Sequence, residues 1–257
     1  MRPRIIPTLL IEDGGLVKTQ KFSKGKYIGD PINAINLYNE MEVDELIIID
    51  ITASKMEKNP DLEMISETCA EAFMPISYAG GVTTIEQYEQ IFNLGVEKVS
   101  INSSLRKNPT LVKEASKHFG SQSVGAIVDV KKNFYGQYKV YDHCDRKLTN
   151  LDLKDYLERV QGLGVGEIII YSVDRDGMMS GYDMDLISKV SSTVKVPLII
   201  CGGANSICNM VEAIKNGADA AAAGSFFVFS HTKTGGVLIN YPSQEELTLA
   251  FSKLATE

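Results

Sequence analysis

The sequence alternates short apolar runs, rich in β-favouring residues, with longer segments of helical periodicity. Eight runs are candidate strands: residues 4–10, 45–51, 75–79, 98–101, 124–129, 167–172, 197–201 and 219–223. Between them, apolar residues recur at helical spacing in segments that include residues 31–41, 84–94, 153–163 and 205–216. Apolar strands joined by helices predict a parallel sheet that is covered on both faces. Eight such units in 257 residues favour a closed (β/α)8 TIM barrel over an open doubly wound sheet.

An internal repeat supports closure of the sheet. Residues 75–103 align with residues 197–225 at a constant offset of 122 and without a gap. The repeat predicts one barrel domain over residues 1–257, built from half-barrels of approximately residues 1–121 and 122–257. Equivalent loops of two half-barrels lie on opposite sides of one mouth, so a ligand site in one half should have a counterpart in the other.

Composition excludes several classes of function. The net charge of −7 argues against a nucleic-acid partner, because phosphate backbones are held by basic stripes. The four cysteines lack CxxC spacing, and His118, His143 and His231 lack ligand spacing, so we expect neither a metal site nor a cofactor. The apolar stretches are shorter than the ~18 residues that span a bilayer, and no signal peptide is evident. We therefore expect a cytoplasmic protein that does not associate with membranes.

Two pairs of strand-end loops have the composition of anion sites. Glycine lets backbone N–H groups approach a phosphate oxygen, and a following helix N-terminus adds favourable partial charge. The first pair contains Gly80 and Gly81 with Asn102 and Ser103, and the second contains Gly202 and Gly203 with Gly224 and Ser225. Glycines of this kind also serve simply to turn the chain. Because the pairs are related by the repeat, they predict two phosphates and an elongated bisphosphate ligand.

Carboxylates at strand ends are the candidates for acid–base chemistry, since catalytic groups of barrels project from the ends of strands. The candidates are Asp50, Asp129, Asp174 and Asp176. Asp129 ends an apolar strand, although a loop-capping role suits it too, and Asp176 equally suits a turn before Gly177. The segment 13–31 is long, basic and rich in glycine, which is typical of a mobile lid or of a solvated loop.

Charged residues of alternating sign begin four of the strands. They are Arg4, Glu45, Lys98 and Glu167. Strand starts often carry charge only to stay in contact with water, so spacing alone does not assign them a function.

Several sequence motifs resemble the cyclase subunit of imidazole glycerol phosphate synthase. They are RIIP at 4–7, GDP at 29–31, DEL at 44–46, DITAS at 50–54, KVSIN at 98–102, FGSQ at 119–122 and SVDRDG at 172–177. The resemblance implies a barrel that receives ammonia from a separate glutaminase and binds a bisphosphorylated aminoimidazole carboxamide ribonucleotide at its mouth. The implied products are imidazole glycerol phosphate and an aminoimidazole carboxamide ribotide, which would make the chain a lyase of histidine biosynthesis.

The resemblance also implies roles for individual residues. The implied phosphate-binding residues are Gly81, Asn102 and Ser103 on one side, and Gly177, Gly203, Gly224 and Ser225 on the other. Arg4, Glu45, Lys98 and Glu167 match a salt-bridged gate at the ammonia entrance, with Glu97 and Gln122 on the partner face. Asp129, Asp176 and Lys18 are the implied catalytic residues, with Lys18 in the closing loop.

One expected catalytic residue is missing. The family uses two aspartates on opposite sides of the mouth, and the position at the end of the first strand is Leu10, which can neither donate nor accept a proton. Ala79, Tyr171 and Cys201 also depart from the family pattern. Loss of an essential acid or base typically lowers a rate by ~10²–10⁴-fold.

A narrower resemblance accounts for this loss. The motifs LVKT at 16–19, YIGDPINA at 27–34, AGSFFVF at 223–229 and VLINYP at 237–242 resemble paralogues from surface-polysaccharide and flagellin-glycan pathways. Those paralogues pair with a glutaminase and supply ammonia to a third enzyme, which makes acetamidino sugars.

Three functions follow from these resemblances. In the first, the chain is an ammonia-conducting barrel with altered or lost cyclase chemistry. In the second, it is an active histidine-pathway cyclase in which a water or a neighbouring carboxylate takes the role of the aspartate that is missing at residue 10. The third hypothesis is a phosphoribosyl isomerase, which needs no ammonia. The four charges at the strand starts argue against the isomerase.

Overall fold

A computed structural model describes residues 2–229 and 236–252. The strands of these residues are β1 (Arg4–Glu12), β2 (Gly15–Lys18), β3 (Lys26–Gly29), β4 (Leu46–Asp50), β5 (Ile76–Ala79), β6 (Lys98–Ile101), β7 (Val124–Lys132), β8 (Tyr138–Asp142), β9 (Lys147–Leu148), β10 (Glu167–Ser172), β11 (Leu198–Cys201) and β12 (Ala220–Ala223).

Nine α-helices lie within the same residues. They are α1 (Pro31–Glu40), α2 (Leu62–Glu71), α3 (Ile85–Asn93), α4 (Ser103–Lys107), α5 (Pro109–Phe119), α6 (Leu153–Gln161), α7 (Met184–Ser191), α8 (Ile207–Lys215) and α9 (Gln244–Ser252). Short 3-10 helices cover Ser121–Ser123, Val173–Arg175 and Ser225–Phe227.

Eight parallel strands close on one another and form the predicted (β/α)8 barrel. Their order around the barrel is β1, β4, β5, β6, β7, β10, β11 and β12. β12 returns to β1 in parallel register, from Arg4 opposite Ala220 to Pro7 opposite Ala223. All carboxyl ends of these strands therefore meet at one end of the barrel, the mouth, and all amino ends meet at the other, the base.

The internal repeat is visible in the elements themselves. β5 and β11, β6 and β12, and α3 and α8 have first and last residues that differ by 122. The residues that start the two helices correspond as well. The side chain of Thr84 accepts a hydrogen bond from the third residue of α3, and that of Ser206 does the same for α8. The half-barrel boundary near residue 121 remains a prediction.

Alternation along each strand divides the apolar side chains between two cores. Ile47 and Ile169 point into the barrel, whereas their neighbours Ile48 and Ile168 pack beneath the surrounding helices. The interior cluster consists of Ile6, Ile47, Ala79, Ile127, Ile169, Tyr171, Ile199, Cys201, Ala220 and Ala222. The interior is thus a packed and mainly apolar column between the base and the mouth, and it also contains the buried hydroxyls of Thr8, Ser77 and Ser100.

The structure corrects the description of segment 13–31, which the sequence suggested only as a basic loop or lid. β2 pairs antiparallel with the end of β1, and β3 pairs with β2. The side chains of Leu16, Val17 and Lys18 are buried as a result. β7 likewise extends beyond the predicted strand 124–129 and pairs with β8, which brings residues 138–148 to the mouth.

Among the residues that the structure describes, no helix is long and apolar enough to cross a membrane.

The repeat generates a stability prediction for the interior column. Ile47 and Ile169 are each 1 % exposed and differ by the repeat offset, so Ile47→Ala and Ile169→Ala should each lower the free energy of unfolding by about 2–5 kcal/mol. Urea denaturation measures the loss. Leu249→Ala, at a side chain that is 64 % exposed, is the control and should change the unfolding free energy by no more than about 0.5 kcal/mol. A loss at only one of the two isoleucines would contradict the equivalence of the halves.

Candidate functional site

The mouth of the barrel holds a cavity of about 390 Å³. Its floor is apolar, with Leu10, Ile49 and Ile127 at the ends of their strands. Its rim is polar, and Asn102, Asp129, His143, Lys55 and Arg146 are among the residues that line it. A cavity of this size suits a small ligand that is held by a few polar groups.

Asp129 is the centre of the polar wall. Its side chain is 3 % exposed, and one carboxylate oxygen, Oδ2, receives two hydrogen bonds. Asn102 Nδ2 donates at 2.7 Å, and His143 Nδ1 lies 2.9 Å away. Asp129, the predicted catalytic aspartate, is therefore joined directly both to the predicted phosphate residue Asn102 and to a histidine.

His143 is held as a cation by this contact. Burial disfavours its charge, but the hydrogen bond and the charge of Asp129 outweigh burial and raise the pKa of His143 to about 10. At neutral pH the pair is thus an imidazolium with a carboxylate. Oδ2 of Asp129 is engaged by both His143 and Asn102.

The first pair of glycine loops borders this cavity, as the sequence predicted. Gly80, Gly81, Asn102 and Ser103 all line it. Gly81 has a φ of 68°, and a Cβ there would lie 2.6 Å from the carbonyl oxygen of Lys58. The turn therefore requires glycine at residue 81 whether or not a ligand binds.

The second pair of glycine loops borders a much smaller space. Its predicted phosphate residues, Gly177, Gly203, Gly224 and Ser225, line a cavity of about 20 Å³. A cavity of that size holds about one water molecule. The two halves of the mouth match in sequence but differ greatly in open volume.

Lys18 occupies part of this second side. Its ammonium donates to the carbonyl oxygen of Thr8 at 2.7 Å and lies 2.7 Å from where a Cβ on Gly224 would stand. Burial lowers the pKa of Lys18 to about 8. The structure places Lys18 inside the barrel wall rather than on an exposed closing loop.

Asp176 accepts hydrogen bonds from three donors. Thr19 Oγ1 donates at 2.6 Å, the backbone N–H of Phe22 at 3.1 Å and the hydroxyl of Tyr171 at 3.0 Å. Burial nevertheless raises the pKa of Asp176. The carboxylate therefore joins the turn after β2 to the end of β10.

The two other candidate carboxylates support loops. Asp50 Oδ1 accepts from the backbone N–H groups of Thr52 and Ala53, at 2.8 and 2.9 Å. Asp174 accepts from the backbone N–H of Lys132 at 2.8 Å. Asp50 also lines the larger cavity, whereas Asp174 is not among its lining residues.

The segment after β1 covers the mouth. Phe22 lines the cavity, and its ring packs edge to face against Tyr171, with ring centroids 5.1 Å apart. Arg146 donates to the carbonyl oxygen of Phe22 at 3.1 Å. The side chains of Lys21, Lys24 and Lys26 are exposed. The turn after β2 is therefore held over the mouth by Tyr171 and Arg146.

The four charges at the strand starts form a closed cluster at the base. Lys98 Nζ lies 3.0 Å from a carboxylate oxygen of Glu45 and 3.0 Å from one of Glu167. Arg4 pairs with Glu45 and, at 3.3 Å, with Glu167. Each cation thus contacts both carboxylates. Both glutamates are nearly fully buried, and Oε1 of Glu167 has no hydrogen-bond partner among the described residues.

Sequence reasoning missed three residues of the mouth, namely His143, Phe22 and Arg146. His143 was considered only as a metal ligand, and His231 lies outside the described residues. A usable signal was present for His143. It directly follows β8, and β8 pairs back onto β7, the strand that carries Asp129. No group of three or more potential metal ligands occurs in residues 2–229 and 236–252.

Comparison with known proteins finds one matching family model and several similar proteins. The family model described as "Histidine biosynthesis protein" matches residues 4–233.

Several relatives match over almost their whole length. "Putative imidazole glycerol phosphate synthase subunit hisF2" of Pseudomonas aeruginosa is 46 % identical over 248 residues, which cover 96 % of this chain and 98 % of the relative. "Putative imidazole glycerol phosphate synthase subunit hisF3" of Vibrio vulnificus is 43 % identical over 248 residues, which cover 96 % of this chain and 95 % of the relative. "Imidazole glycerol phosphate synthase subunit HisF" of Alkaliphilus metalliredigens is 41 % identical over 228 residues, 88 % of this chain and 90 % of the relative.

The Asp129–His143 contact generates a prediction of pH dependence. Since the pKa of His143 is raised in the folded chain, the stabilisation is fully present below the unfolded value of 6.5 and is lost as pH rises through about 10. His143→Gln should therefore destabilise the chain more at pH about 6 than at pH about 10.5, as measured by urea denaturation. In NMR titrations the His143 ring should protonate near pH 10, and Asp129→Asn should lower that midpoint by more than one pH unit. A midpoint near 6.5 in the unaltered chain would refute the ion pair.

Proposed function

This chain belongs to the family of HisF-type cyclase subunits of imidazole glycerol phosphate synthase, and on that premise we propose that it is the ammonia-conducting barrel of a glutaminase complex. In this proposal the glutaminase docks at the base, ammonia crosses the interior, and a phosphorylated ligand binds at the mouth. The cyclase chemistry of the family is reduced or lost. The observation that carries the proposal is the combination of a complete charge cluster at the base with Leu10 at the mouth.

The charge cluster at the base suits a gated entrance for ammonia, which would open when the glutaminase docks. Two cations and two carboxylates cancel in net charge and hold one another across the barrel. Beyond them, the interior column is mainly apolar and contains small side chains such as Ala220 and Ala222. Neutral ammonia crosses such a column far more readily than ammonium, because a bare cation pays a large desolvation cost.

The surface around the base supports a protein partner. Glu97 and Gln122, which the resemblance places on the partner face, are exposed beside the strand starts. Phe73 precedes β5 at the same end of the barrel and is 87 % exposed. An exposed aromatic ring flanked by polar residues is typical of the centre of a protein interface.

The mouth argues against full cyclase activity. Leu10 is 4 % exposed, lies opposite Val17 of β2 and Ile49 of β4, and can neither donate nor accept a proton. The remaining aspartate, Asp129, is bound to His143 and Asn102. A carboxylate restrained on one side and a leucine on the other do not make an acid–base pair.

The destination of the ammonia is the finer part of the proposal. The motifs at residues 16–19, 27–34, 223–229 and 237–242 resemble paralogues of acetamidino-sugar synthesis. We therefore place the ammonia acceptor on a third, sugar-amidating enzyme of surface-glycan synthesis, within a cytoplasmic complex.

An active cyclase is the second candidate. It is favoured by the first phosphate cradle, because Gly81, Asn102 and Ser103 all border the large cavity beside Asp129. A water could then act in place of the missing aspartate. A phosphoribosyl isomerase gains no support, since that reaction has no use for a buried charge cluster at the base.

Direct assay separates the two candidates. Supplied with an ammonium salt and the bisphosphorylated aminoimidazole precursor, the purified chain should turn over at least about 10²-fold more slowly than the Alkaliphilus metalliredigens relative, because one acid–base group is absent. Leu10→Asp should raise the rate of this chain. Product formation is followed by chromatography. A rate within about tenfold of the relative would exclude the proposed loss of cyclase chemistry.

A matched pair of substitutions tests the docking of the glutaminase. Phe73→Asp at the base should weaken the complex by about tenfold or more, because a charge then replaces an aromatic interface residue. Phe134→Asp makes the same change at a ring that is 97 % exposed at the mouth end, and should leave the affinity unchanged. Size-exclusion chromatography and calorimetry with the purified glutaminase measure both. Equal effects at the two ends, or no complex with the unaltered chain, would contradict the docking model.

A further inference from the structure

The mouth contains two cavities that share a wall. The larger cavity, of about 390 Å³, borders the cradle of Gly81 and Ser103, and the smaller one, of about 20 Å³, borders the cradle of Gly203 and Ser225. Among the described residues, Leu10 and Tyr171 are the side chains that line both cavities. They stand between the two halves of the mouth.

Both side chains of this wall are fixed in place. Tyr171 is 5 % exposed, and its hydroxyl donates to Asp176 at 3.0 Å while its ring packs against Phe22. Leu10 is held in the barrel between Val17 and Ile49 on the neighbouring strands. Because Asp176 also binds the backbone of Phe22, the wall and the turn that covers the mouth are stabilised by one carboxylate.

The wall leaves the two cradles with unequal capacity. The smaller cavity accommodates about one water, which is far less than a phosphoryl group requires. The larger cavity falls in the range of ordinary ligand sites. Leu10 and Tyr171 lie between the two cradles, in the space that an elongated ligand with a phosphate at each end would cross.

The charges around the larger cavity suit an anion. The exposed side chains of Lys24, Lys55 and Arg146 line it. Glu12, Asp50 and Asp129 line it too, and of these Asp129 bonds to His143 and Asp50 bonds to its own loop. Positive charge therefore remains available to a single phosphate on this side of the mouth.

We propose that Leu10 and Tyr171 determine ligand specificity by dividing the mouth, so that this chain takes a compact ligand with one phosphate group in place of an elongated bisphosphate. The inference rests on the proposed function for the presence of a phosphorylated ligand, and it changes the class of that ligand. Leu10 and Tyr171, which both depart from the family pattern, then act together. Leu10 replaces a proton-transfer group, and both side chains fill space between the two cradles.

Binding measurements with matched ligands test the division. The probes are inorganic phosphate, the bisphosphorylated aminoimidazole precursor and the aminoimidazole carboxamide ribotide, which carries one phosphate. Calorimetry and ³¹P NMR should find one inorganic phosphate per chain. Affinities for the precursor and for the ribotide should agree within about threefold, because the second phosphate gains no charged hydrogen bonds.

Removing the wall should restore the second cradle. The double variant Leu10→Ala/Tyr171→Ser should bind a second phosphate and prefer the precursor to the ribotide by about tenfold or more. Tyr171→Phe keeps the ring and loses only the hydroxyl, so its preference should match that of the unaltered chain. Circular dichroism establishes folding, and if the double variant does not fold, Tyr171→Ser alone is measured in its place.

The possible results distinguish failure of the divided mouth from failure of the proposed function on which it rests. Two phosphates per unaltered chain, or a tenfold preference of that chain for the precursor, would overturn the division while leaving a phosphate-binding barrel. A folded Tyr171→Ser or double variant that still binds one phosphate would overturn the division too. No binding of any probe would overturn both the division and the phosphorylated ligand of the proposed function.

Discussion

Parallel pairing of β12 with β1 turns an eight-stranded sheet into a barrel, and the arrangement of every functional group depends on that closure. Closure brings all strand starts together at the base, where Arg4 meets Glu167 although 163 residues separate them in sequence. It also brings all strand ends together at the mouth. Period-two alternation then decides what faces inward, so that β1 presents Arg4 at the base and Leu10 at the mouth.

The architecture was predictable because barrel strands are short, apolar and regularly spaced, and the helices between them keep their period. The exact offset between α3 and α8 could be read from the sequence, since a repeated unit buries the same face twice. The β2–β3 hairpin was not predictable in this way. Its strands are only four residues long and contain lysines and glycines beside apolar residues, and Lys18 is buried only because β2 adds to the end of β1. Burial of a lysine follows from tertiary pairing, which local periodicity does not encode.

The sequence predicted which residue types border the mouth, but it predicted the roles of the individual side chains less well. Glycines at positions 81, 177 and 203 were expected to admit phosphate, yet at each of them a Cβ would lie less than 3 Å from backbone atoms, so chain packing requires glycine there in any case. Asp50 ends β4 and caps a loop, whereas Asp129 lies within β7 and meets a histidine. Sequence places a carboxylate at the mouth, whereas its partners depend on which loop folds back over it.

Leu10 and Tyr171 are best understood as one change rather than two. An aspartate at residue 10 would need water or a hydrogen-bond donor to satisfy its charge. The ring of Tyr171 lines the same two cavities as residue 10 and takes up space that such a water would need. A small side chain at residue 171 beside Leu10 would instead leave an apolar void, which costs stability. Leucine at one position and tyrosine at the other are therefore mutually consistent. The same substitutions that remove an acid–base group also fill the space that an elongated ligand would require, so chemistry and ligand size change together.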